Sequence, residues 1–262
     1  MNFFRSLLGR KYVFLWIFSL FLVVLFFRLG LWQLDRLEQR KIFNTRVTSQ
    51  IDQPGLFLTG KILSEDLYQM EYRKVEAVGE YRFEDEIAIR NQVYENRSGV
   101  HLITPLVLSG TDQAILVDRG WIPYEDFTNN NWSKYYEPGE VTVIGVLRRS
   151  QEKPDFGDRS DPTPAPGEPR KPAWFFVNVG GIQEQVSYKL LPGAYIQQSP
   201  DPKWTNYPKR SFAEVEISEG PHFGYAIQWF TFSFIALVGV PILVYWQEKK
   251  KETEIEEKSI QL

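Results

Sequence analysis

Two long apolar segments, one near each end, dominate the hydrophobic pattern of the chain. Residues 12–27 are sixteen consecutive residues without a charge, and residues 223–246 are twenty-four. At a rise of about 1.5 Å per residue, the second segment alone crosses a hydrocarbon core of about 30 Å. The first segment does so if its helix continues to Leu34. We therefore predict two transmembrane helices, at residues 12–34 and 222–246.

Positive charges beside these segments predict their orientation. Lysines and arginines stand on the outer side of both, at Arg5, Arg10, Lys11 and residues 249–251. Positive charge favours the cytoplasmic side, so segments 1–11 and 247–262 are predicted to be cytoplasmic and 35–221 extracytoplasmic. The N-terminal segment is shorter than a mitochondrial transit peptide, which favours a bacterial plasma membrane over the mitochondrial inner membrane. A signal peptide is the alternative for the first segment, but no small-residue cleavage site follows it, and the next residues continue a helical pattern.

Between the two helices the pattern changes to short runs of alternating or β-branched residues, separated by Gly, Asp, Asn and Ser. These runs predict strands at 68–77, 87–94, 99–108, 114–117, 140–148, 174–177 and 194–198. A short helix is predicted at 180–190, and closely spaced prolines make 151–172 an extended surface loop. The sequence thus predicts a membrane protein in which two transmembrane α-helices flank a β-rich extracytoplasmic domain. That domain is expected to be a barrel, a sandwich or an α+β fold.

Composition excludes several kinds of function. The chain has no cysteine, which removes disulfides, thiolate metal sites and cysteine nucleophiles. Between residues 35 and 220, 28 Asp and Glu residues stand against 22 Lys and Arg. Such an acidic domain is poorly suited to bind nucleic acid, which requires phosphate neutralisation. The two histidines, His101 and His222, are the only imidazoles available for metal ligation or catalysis.

No established catalytic sequence motif is found in the predicted domain, and its candidate acid–base groups have simpler interpretations. Glu84-Asp85-Glu86 is expected to be a solvated turn. His101, Asp118 and Arg119 could be combined into an active site, but a strand histidine with a partly packed ring is the favoured interpretation. The sequence therefore predicts that the protein is not an enzyme.

The histidine at the start of the second membrane segment is the best candidate ligand. Pro221 suits a first helical position, so His222 falls in the first turn, where the helix dipole favours a neutral ring. His222, Tyr225 and Trp229 follow i, i+3, i+7 spacing and share one helical face. A neutral histidine above an aromatic strip can serve as an axial haem ligand. An interfacial histidine within an aromatic belt is the alternative that the residues alone favour.

Four short motifs occur in a fixed order along the chain. They are Gly30-Leu31-Trp32-Gln33-Leu34-Asp35-Arg36, the run 99–106 ending in Thr-Pro-Leu, the run 115–123 containing Arg119-Gly120-Trp121, and the run 222–230 beginning His-Phe-Gly-Tyr-Ala. In this order, and with the two-helix layout, they resemble the Surfeit locus protein one family over nearly the whole chain. Two places depart from that pattern. Asp118 stands where Asn is frequent, and Gly220-Pro221 stands where Asn is common.

The resemblance implies an assembly factor for cytochrome c oxidase that binds haem a and assists its insertion into the catalytic subunit. Carried over, the haem iron ligand is His222, with Tyr225 and Trp229 lining the same face. The family motif residues carry over as Gly30, Trp32, Gln33, Arg36, Arg119, Gly120 and Trp121. Their expected roles are docking the domain on the helices or contacting a partner. Arg28 or Arg36 could also pair with haem propionates.

The expected partners are the oxidase catalytic subunit, other oxidase assembly or haem a synthesis proteins, and the lipid bilayer, with no nucleic acid. The alternative function is a membrane-anchored scaffold that stabilises an oxidase assembly intermediate without binding haem. An exported sensor domain is a third interpretation, which the charged tail after residue 246 does not favour because no output domain is recognised there.

Overall fold

The computed structural model describes residues 10–58, 66–153, 161, 170–211 and 217–260, with side chains up to residue 255. Arg5 and most of the proline-rich segment predicted at 151–172 lie outside the described residues. The chain divides into two compact units, one formed by Met1–Thr45 with Ile217–Leu262 and the other by Arg46–Glu216.

In chain order the helices and strands are α1 (Val13–Ile51), β1 (Leu56–Leu58), β2 (Lys74–Tyr81), β3 (Ile87–Tyr94), β4 (Arg97–Leu108), β5 (Gln113–Pro123), α2 (Tyr124–Thr128), β6 (Glu140–Arg149), β7 (Ala173–Trp174), α3 (Val179–Gln183), β8 (Lys189–Leu190), β9 (Ala194–Gln198) and α4 (His222–Ile260). Single turns of 3-10 helix lie at Arg10–Tyr12, Leu67–Met70, Phe83–Asp85 and Ser133–Tyr135.

The first unit is built from the two terminal helices. Within the part of the chain that the structure describes, two helices are long and apolar enough to cross a membrane, Arg10–Ile51 and His222–Ile255. Both predicted segments therefore form helices, and both helices continue beyond the predicted ends. The residues that follow each apolar run are rich in Leu, Glu, Gln, Lys and Arg, which favour helix, so nothing in the sequence stops either helix there.

Hydrogen bonds between α1 and α4 show that the two helices pack against each other in opposite directions. The Ser19 hydroxyl donates to the carbonyl of Ala236 over 2.7 Å, and the Ser233 hydroxyl donates to the carbonyl of Val23 over 3.0 Å. Both serines are buried between the helices. Moving along α1 from Ser19 to Val23 thus corresponds to moving backwards along α4 from Ala236 to Ser233.

Five strands of the second unit close into a barrel. β2 pairs with β6, β6 with β9, β9 with β5, and β5 with β4. The ring closes because residues 106–108 of β4 also pair with residues 79–81 of β2. All of these pairs are antiparallel except β5 with β9. Of the predicted alternatives, the pairing is that of a barrel.

Alternating residues of the five strands fill the barrel. The buried interior side chains include Val75, Ala77, Leu106, Leu108, Ile115, Val117, Val143, Leu147, Ala194 and Ile196. β3 extends the sheet beyond β4, β7 lies parallel to β3, and β8 lies parallel to β5. A second apolar cluster, with Trp174 and Ile182 from this later part of the chain, covers the outer face of the barrel around Ile103 and Leu116.

The strand predictions agree with the structure except at 68–77, 114–117 and 174–177. The last is wrong beyond Trp174, where β7 ends and the next two amides donate to Asp161 instead of to a strand. The strands predicted at 87–94 and 194–198 have the observed bounds of β3 and β9. The strand predicted at 68–77 is wrong over its first residues, which form a 3-10 turn because Asp66 accepts a hydrogen bond from the Tyr68 amide. β5 runs to Pro123 rather than ending at Val117, and the helix predicted at 180–190 ends at Gln183, after which β8 forms.

Candidate functional site

The start of α4 has a backbone conformation that constrains what can precede His222. Gly220 has a φ of +67°, in the left-handed region that Gly adopts without strain and that Asn tolerates better than most residues. The Tyr225 amide donates to the Pro221 carbonyl over 3.1 Å, which begins the helical pattern at the predicted place. A Cβ at Gly220 would lie 3.4 Å from Cδ2 of His222, so this glycine also leaves room beside the imidazole.

The imidazole of His222 is held by α1. Its Nδ1 lies 2.9 Å from Oε1 of Gln33, which is buried. An amide oxygen can only accept, so Nδ1 carries the proton and donates to it. In the neutral tautomer that this contact selects, the lone pair is on Nε2, which has no hydrogen-bond partner among the described residues. The sequence had placed Gln33 in a motif without giving it this role.

Aromatic side chains continue the contact between the helices two turns further along α4. The ring of Trp229 stacks on Phe26 of α1 at a centroid distance of 5.6 Å, and Phe232 contacts both rings. Tyr225, by contrast, is 46 % exposed. The structure therefore brings His222 and Trp229 together against α1, while Tyr225 stands at the open side of the same helix.

The residues of the first motif divide between the two sides of α1. Gly30 faces α4, where an added Cβ would lie only 2.5 Å from the ring of Phe230. Trp32 and Arg36 are exposed, and the Arg36 guanidinium lies 5.7 Å from the Trp32 ring centroid. Gly30 and Gln33 thus shape the contact between the helices, and Trp32 with Arg36 forms an outward surface.

Arg119 is completely buried inside the barrel unit. Its Nη1 donates to Oε2 of Glu86 over 2.7 Å, and its Nη2 contacts Oε1 of Glu137 at 3.0 Å and the carbonyl of Tyr135. Thr104 also donates to Glu86. Burial tends to lower the pKa of Arg119, but the neighbouring carboxylates outweigh it and raise that pKa. Arg119 therefore remains a cation inside the domain.

One prediction is wrong at this cluster. Glu86 was expected in a solvated turn, yet its side chain is buried, and burial raises its pKa against the opposing charge of Arg119. For Arg119 and Trp121 the expected roles were docking the domain on the helices or contacting a partner, and the structure places both side chains in the interior, 0 % and 1 % exposed. These side chains stabilise the interior of the domain and do not form a surface.

Gly120 and Trp121 serve the packing of the same strand. Gly120 has a φ of +117°, and a Cβ there would lie 2.4 Å from the carbonyl of Lys209. That close approach allows the Trp121 and Lys209 backbones to exchange hydrogen bonds of 2.9 and 2.8 Å. The Trp121 ring packs over Gly99, where an added Cβ would lie 2.3 Å from it.

His101 and Asp118 form a second histidine site on the outer face of the barrel. Nδ1 of His101 lies 2.9 Å from both carboxylate oxygens of Asp118. Burial tends to lower the pKa of His101, but the charge and hydrogen bond of Asp118 outweigh it and raise that pKa. From the sequence, His101 and Asp118 were considered together only as parts of an active site that could also include Arg119. Arg119, the third member of that combination, points into the barrel instead.

Comparison with known proteins agrees with the family resemblance. A family model described as SURF1 family matches residues 20–234. A SURF1-like protein from Rickettsia prowazekii is 26 % identical over 247 residues, which cover 88 % of this chain and 93 % of that protein. A SURF1-like protein from Caenorhabditis elegans is 24 % identical over 81 % of this chain and 68 % of its own length. Surfeit locus protein 1 from Xenopus tropicalis is 25 % identical over 52 % of this chain and 49 % of its own length.

Proposed function

The chain belongs to the SURF1 family, and from that premise we propose that it is a membrane-anchored assembly factor for cytochrome c oxidase that binds haem a through His222. The bound haem would be handed to the catalytic subunit of the oxidase. Binding and release require no nucleophile and no acid–base pair, so the protein acts without catalysing a reaction of its own.

The hydrogen bond from His222 Nδ1 to Gln33 is the observation that carries the assignment. A histidine that ligates a metal usually donates its other ring nitrogen to an oxygen, which fixes the ring orientation and the tautomer. Here Gln33 accepts from Nδ1 at 2.9 Å, and Nε2 is left with its lone pair. The arrangement is therefore suited to an axial ligand whose orientation is set before haem arrives.

The residues near His222 fit a large aromatic ligand. Trp229 is oriented by its stacking on Phe26, and Tyr225 is exposed on the same helix. We propose that these two rings line the haem face that His222 ligates. The haem itself supplies the redox centre that the oxidase needs, while His222, Gln33 and Trp229 bind and orient it. Arg36 remains a candidate partner for a propionate, because its side chain is exposed.

We also propose the membrane arrangement that the sequence predicts. α1 and α4 would span a bacterial plasma membrane with both termini cytoplasmic and residues 35–221 extracytoplasmic. Contacts near the two termini support placing both on the same side of the membrane. Tyr12 donates to Glu248 over 2.7 Å, and Lys11 pairs with the same carboxylate. His222 and Gln33 would then lie near the opposite, exported end of the span.

The assignment is tested by the pyridine haemochrome spectrum of the purified full-length protein, expressed in cells that also make haem a. Wild type is expected to carry haem a, and His222→Ala is expected to lose it. Gln33→Leu should weaken haem binding by about 10- to 100-fold, the usual effect of removing the oxygen that orients a metal-bound histidine. Gln228→Leu removes an exposed amide from α4 and is the matched control, expected to bind haem as wild type does.

The alternative function is a scaffold that stabilises an assembly intermediate without haem. It predicts that oxidase subunits co-purify equally with wild type and His222→Ala, and that neither protein carries haem a. A wild-type protein free of haem a, or a His222→Ala variant that retains it fully, would contradict haem binding at this residue. Normal haem a spectra in membranes of a deletion strain would contradict the assembly role itself.

A further inference from the structure

The barrel unit has a cavity of its own on the outer face of the sheet. Its volume is about 370 Å³, within the range of small-ligand sites. Five strands and the segment before α3 contribute to its wall. The lining includes Ile89 of β3, His101 of β4, Asp118 of β5, Arg148 of β6, Tyr195 of β9, and the segment residues Phe176 and Val177.

Two residues of the cavity lining offer hydrogen-bond donors. The half-buried Tyr195 has a hydroxyl with no hydrogen-bond partner among the described residues. The nearest carboxylate to Arg148 is Glu71, whose oxygen lies 3.9 Å from Nε, beyond hydrogen-bonding distance. A guanidinium has five N–H donors, so Arg148 retains donors for a ligand.

The charges around the cavity favour an anion. Among the described residues, Glu71 is the carboxylate that pairs with both Arg148 and Arg149, at 3.9 and 3.6 Å. Two cations thus share one negative charge. Asp118 is already matched by His101 and also accepts from the Gly120 amide over 3.0 Å. Positive charge therefore remains at this place, although the domain as a whole is acidic.

Part of the cavity lining is apolar and firmly held. Ile89, Phe176 and Val177 line it. The buried carboxylate of Asp161 accepts from the amides of Phe175 and Phe176 over 2.6 and 3.0 Å, and it pairs with Lys171 at 3.0 Å. This cap fixes the backbone that carries the aromatic wall. A ligand of this cavity would therefore have an apolar body as well as an anionic group.

We propose that this cavity binds a small organic carboxylate, with its carboxylate on Arg148 and Tyr195 and its apolar body against Phe176 and Val177. A planar carboxylate suits the guanidinium fork better than a point charge would. Protonated His101 would add a third donor through Nε2. No Ser, Thr or Cys side chain among the described residues contributes a nucleophile to the lining, which favours binding over covalent chemistry.

Isothermal titration calorimetry on the full-length protein in detergent micelles tests this site with three probes of matched size or charge. Benzoate has both the carboxylate and the apolar body, benzamide has the same shape without the charge, and inorganic phosphate has charge without the body. Benzoate is expected to bind at least about tenfold more tightly than either of the others, the effect of a charge-assisted hydrogen bond. Benzamide binding as tightly, phosphate binding more tightly, or benzoate not binding at millimolar concentration would overturn the proposal.

Three variants locate the binding. Arg148→Gln and Tyr195→Phe are each expected to weaken benzoate binding, by about tenfold or more for the arginine and less for the hydroxyl. Arg149→Gln removes the same charge from the neighbouring residue, which does not line this cavity, and should leave benzoate affinity within about twofold of wild type. Equal affinity in all four proteins, or an equal loss in Arg148→Gln and Arg149→Gln, would contradict the site. A thermal melt of each variant confirms that the protein titrated is folded.

Discussion

The two units of the chain satisfy their buried polar groups in different ways. Within the apolar segments of α1 and α4 the described side-chain contacts are neutral, as in the hydrogen bond from Ser233 to the Val23 carbonyl and the one from His222 to Gln33, and the ionic contact of Lys11 with Glu248 lies beyond those segments. In the barrel unit they are ionic, as between Arg119 and Glu86. A charge between two helices in lipid is costly, whereas a barrel interior can enclose one if its partner is enclosed with it.

The two histidines differ in the same way, because one has a neutral partner and the other a charged partner. Each directs Nδ1 at an oxygen 2.9 Å away, but the oxygen belongs to an amide at His222 and to a carboxylate at His101. An amide fixes the ring tautomer without adding charge, which suits a metal ligand. A carboxylate stabilises the protonated ring and makes the site depend on pH. Four substitutions test these differences.

Removing the enclosed cation should have the largest effect. Arg119→Met leaves Glu86 buried without its partner, and we expect the barrel unit to lose about 3–5 kcal/mol of unfolding free energy. Urea unfolding followed by tryptophan emission measures this, because Trp121 and Trp174 are buried in the same unit. Arg82→Met is the control, since Arg82 pairs at 4.0 Å with the exposed Glu84. If Arg119→Met lost less than about 1 kcal/mol of unfolding free energy, the ion pair of Arg119 with Glu86 would not be a main source of the stability of this interior.

Replacing the carboxylate beside His101 by an amide makes that site resemble the one at His222. For Asp118→Asn we expect a loss of about 1.5–3 kcal/mol, the usual contribution of a hydrogen bond to a charged group. The pKa of His101 is raised in the folded protein, so the stabilisation by Asp118 is complete below the ordinary value of about 6.5 and fades as the pH rises through the raised pKa.

The difference in unfolding midpoint between wild type and Asp118→Asn should therefore be larger at about pH 6 than at about pH 9. The charged or titratable groups that line the cavity with His101 are Asp118, Arg148 and Tyr195. Burial raises the pKa of Tyr195, so its hydroxyl keeps its proton where His101 titrates. A difference that does not change with pH would show that His101 is not protonated in the pair.

Filling the close contact between the helices should have the next largest effect. A Cβ in Gly30→Ala would lie 2.5 Å from the Phe230 ring, so the helices must shift, at a cost of about 1–3 kcal/mol. Gly224→Ala is the control on α4, because a Cβ there meets nothing within 4 Å. Thermal unfolding of the two variants in the same detergent compares them. Equal melting temperatures would indicate that this close approach is not rigid.

The smallest effect is expected from a neutral hydrogen bond between the helices. Ser233→Ala removes the bond to the Val23 carbonyl, and we expect a loss of about 0.6 kcal/mol, the average for such bonds in membrane proteins. Thr231→Ala removes a hydroxyl that bonds only within its own helix and is the matched control. A loss above about 2 kcal/mol would mean that neutral contacts hold the helices as strongly as charges hold the barrel.

The sequence predicted local features well and long-range partners poorly. β3 and β9 were predicted with their observed bounds because alternation is visible within a few residues. The burial of Arg119 was not predicted, because an arginine is usually exposed and its partner Glu86 lies 33 residues away. The role of Gln33 was missed for the same reason, since His222 is 189 residues distant. Barrel closure between β2 and β4 likewise depends on contacts that no local pattern reveals.

The hydrogen bonds along the helix pair also limit how its sequence can change in length. Val23 and Gln33 lie on one side of α1, each facing a partner on α4, at Ser233 and His222. One residue inserted between Val23 and Gln33 would rotate everything beyond it by about 100° about the helix axis. Gln33 would then no longer face His222, even though the span remained apolar and long enough. The number of residues between Val23 and Gln33 is thus fixed by the rotation about the helix axis that directs both at α4. The length needed to cross a bilayer constrains that number much less.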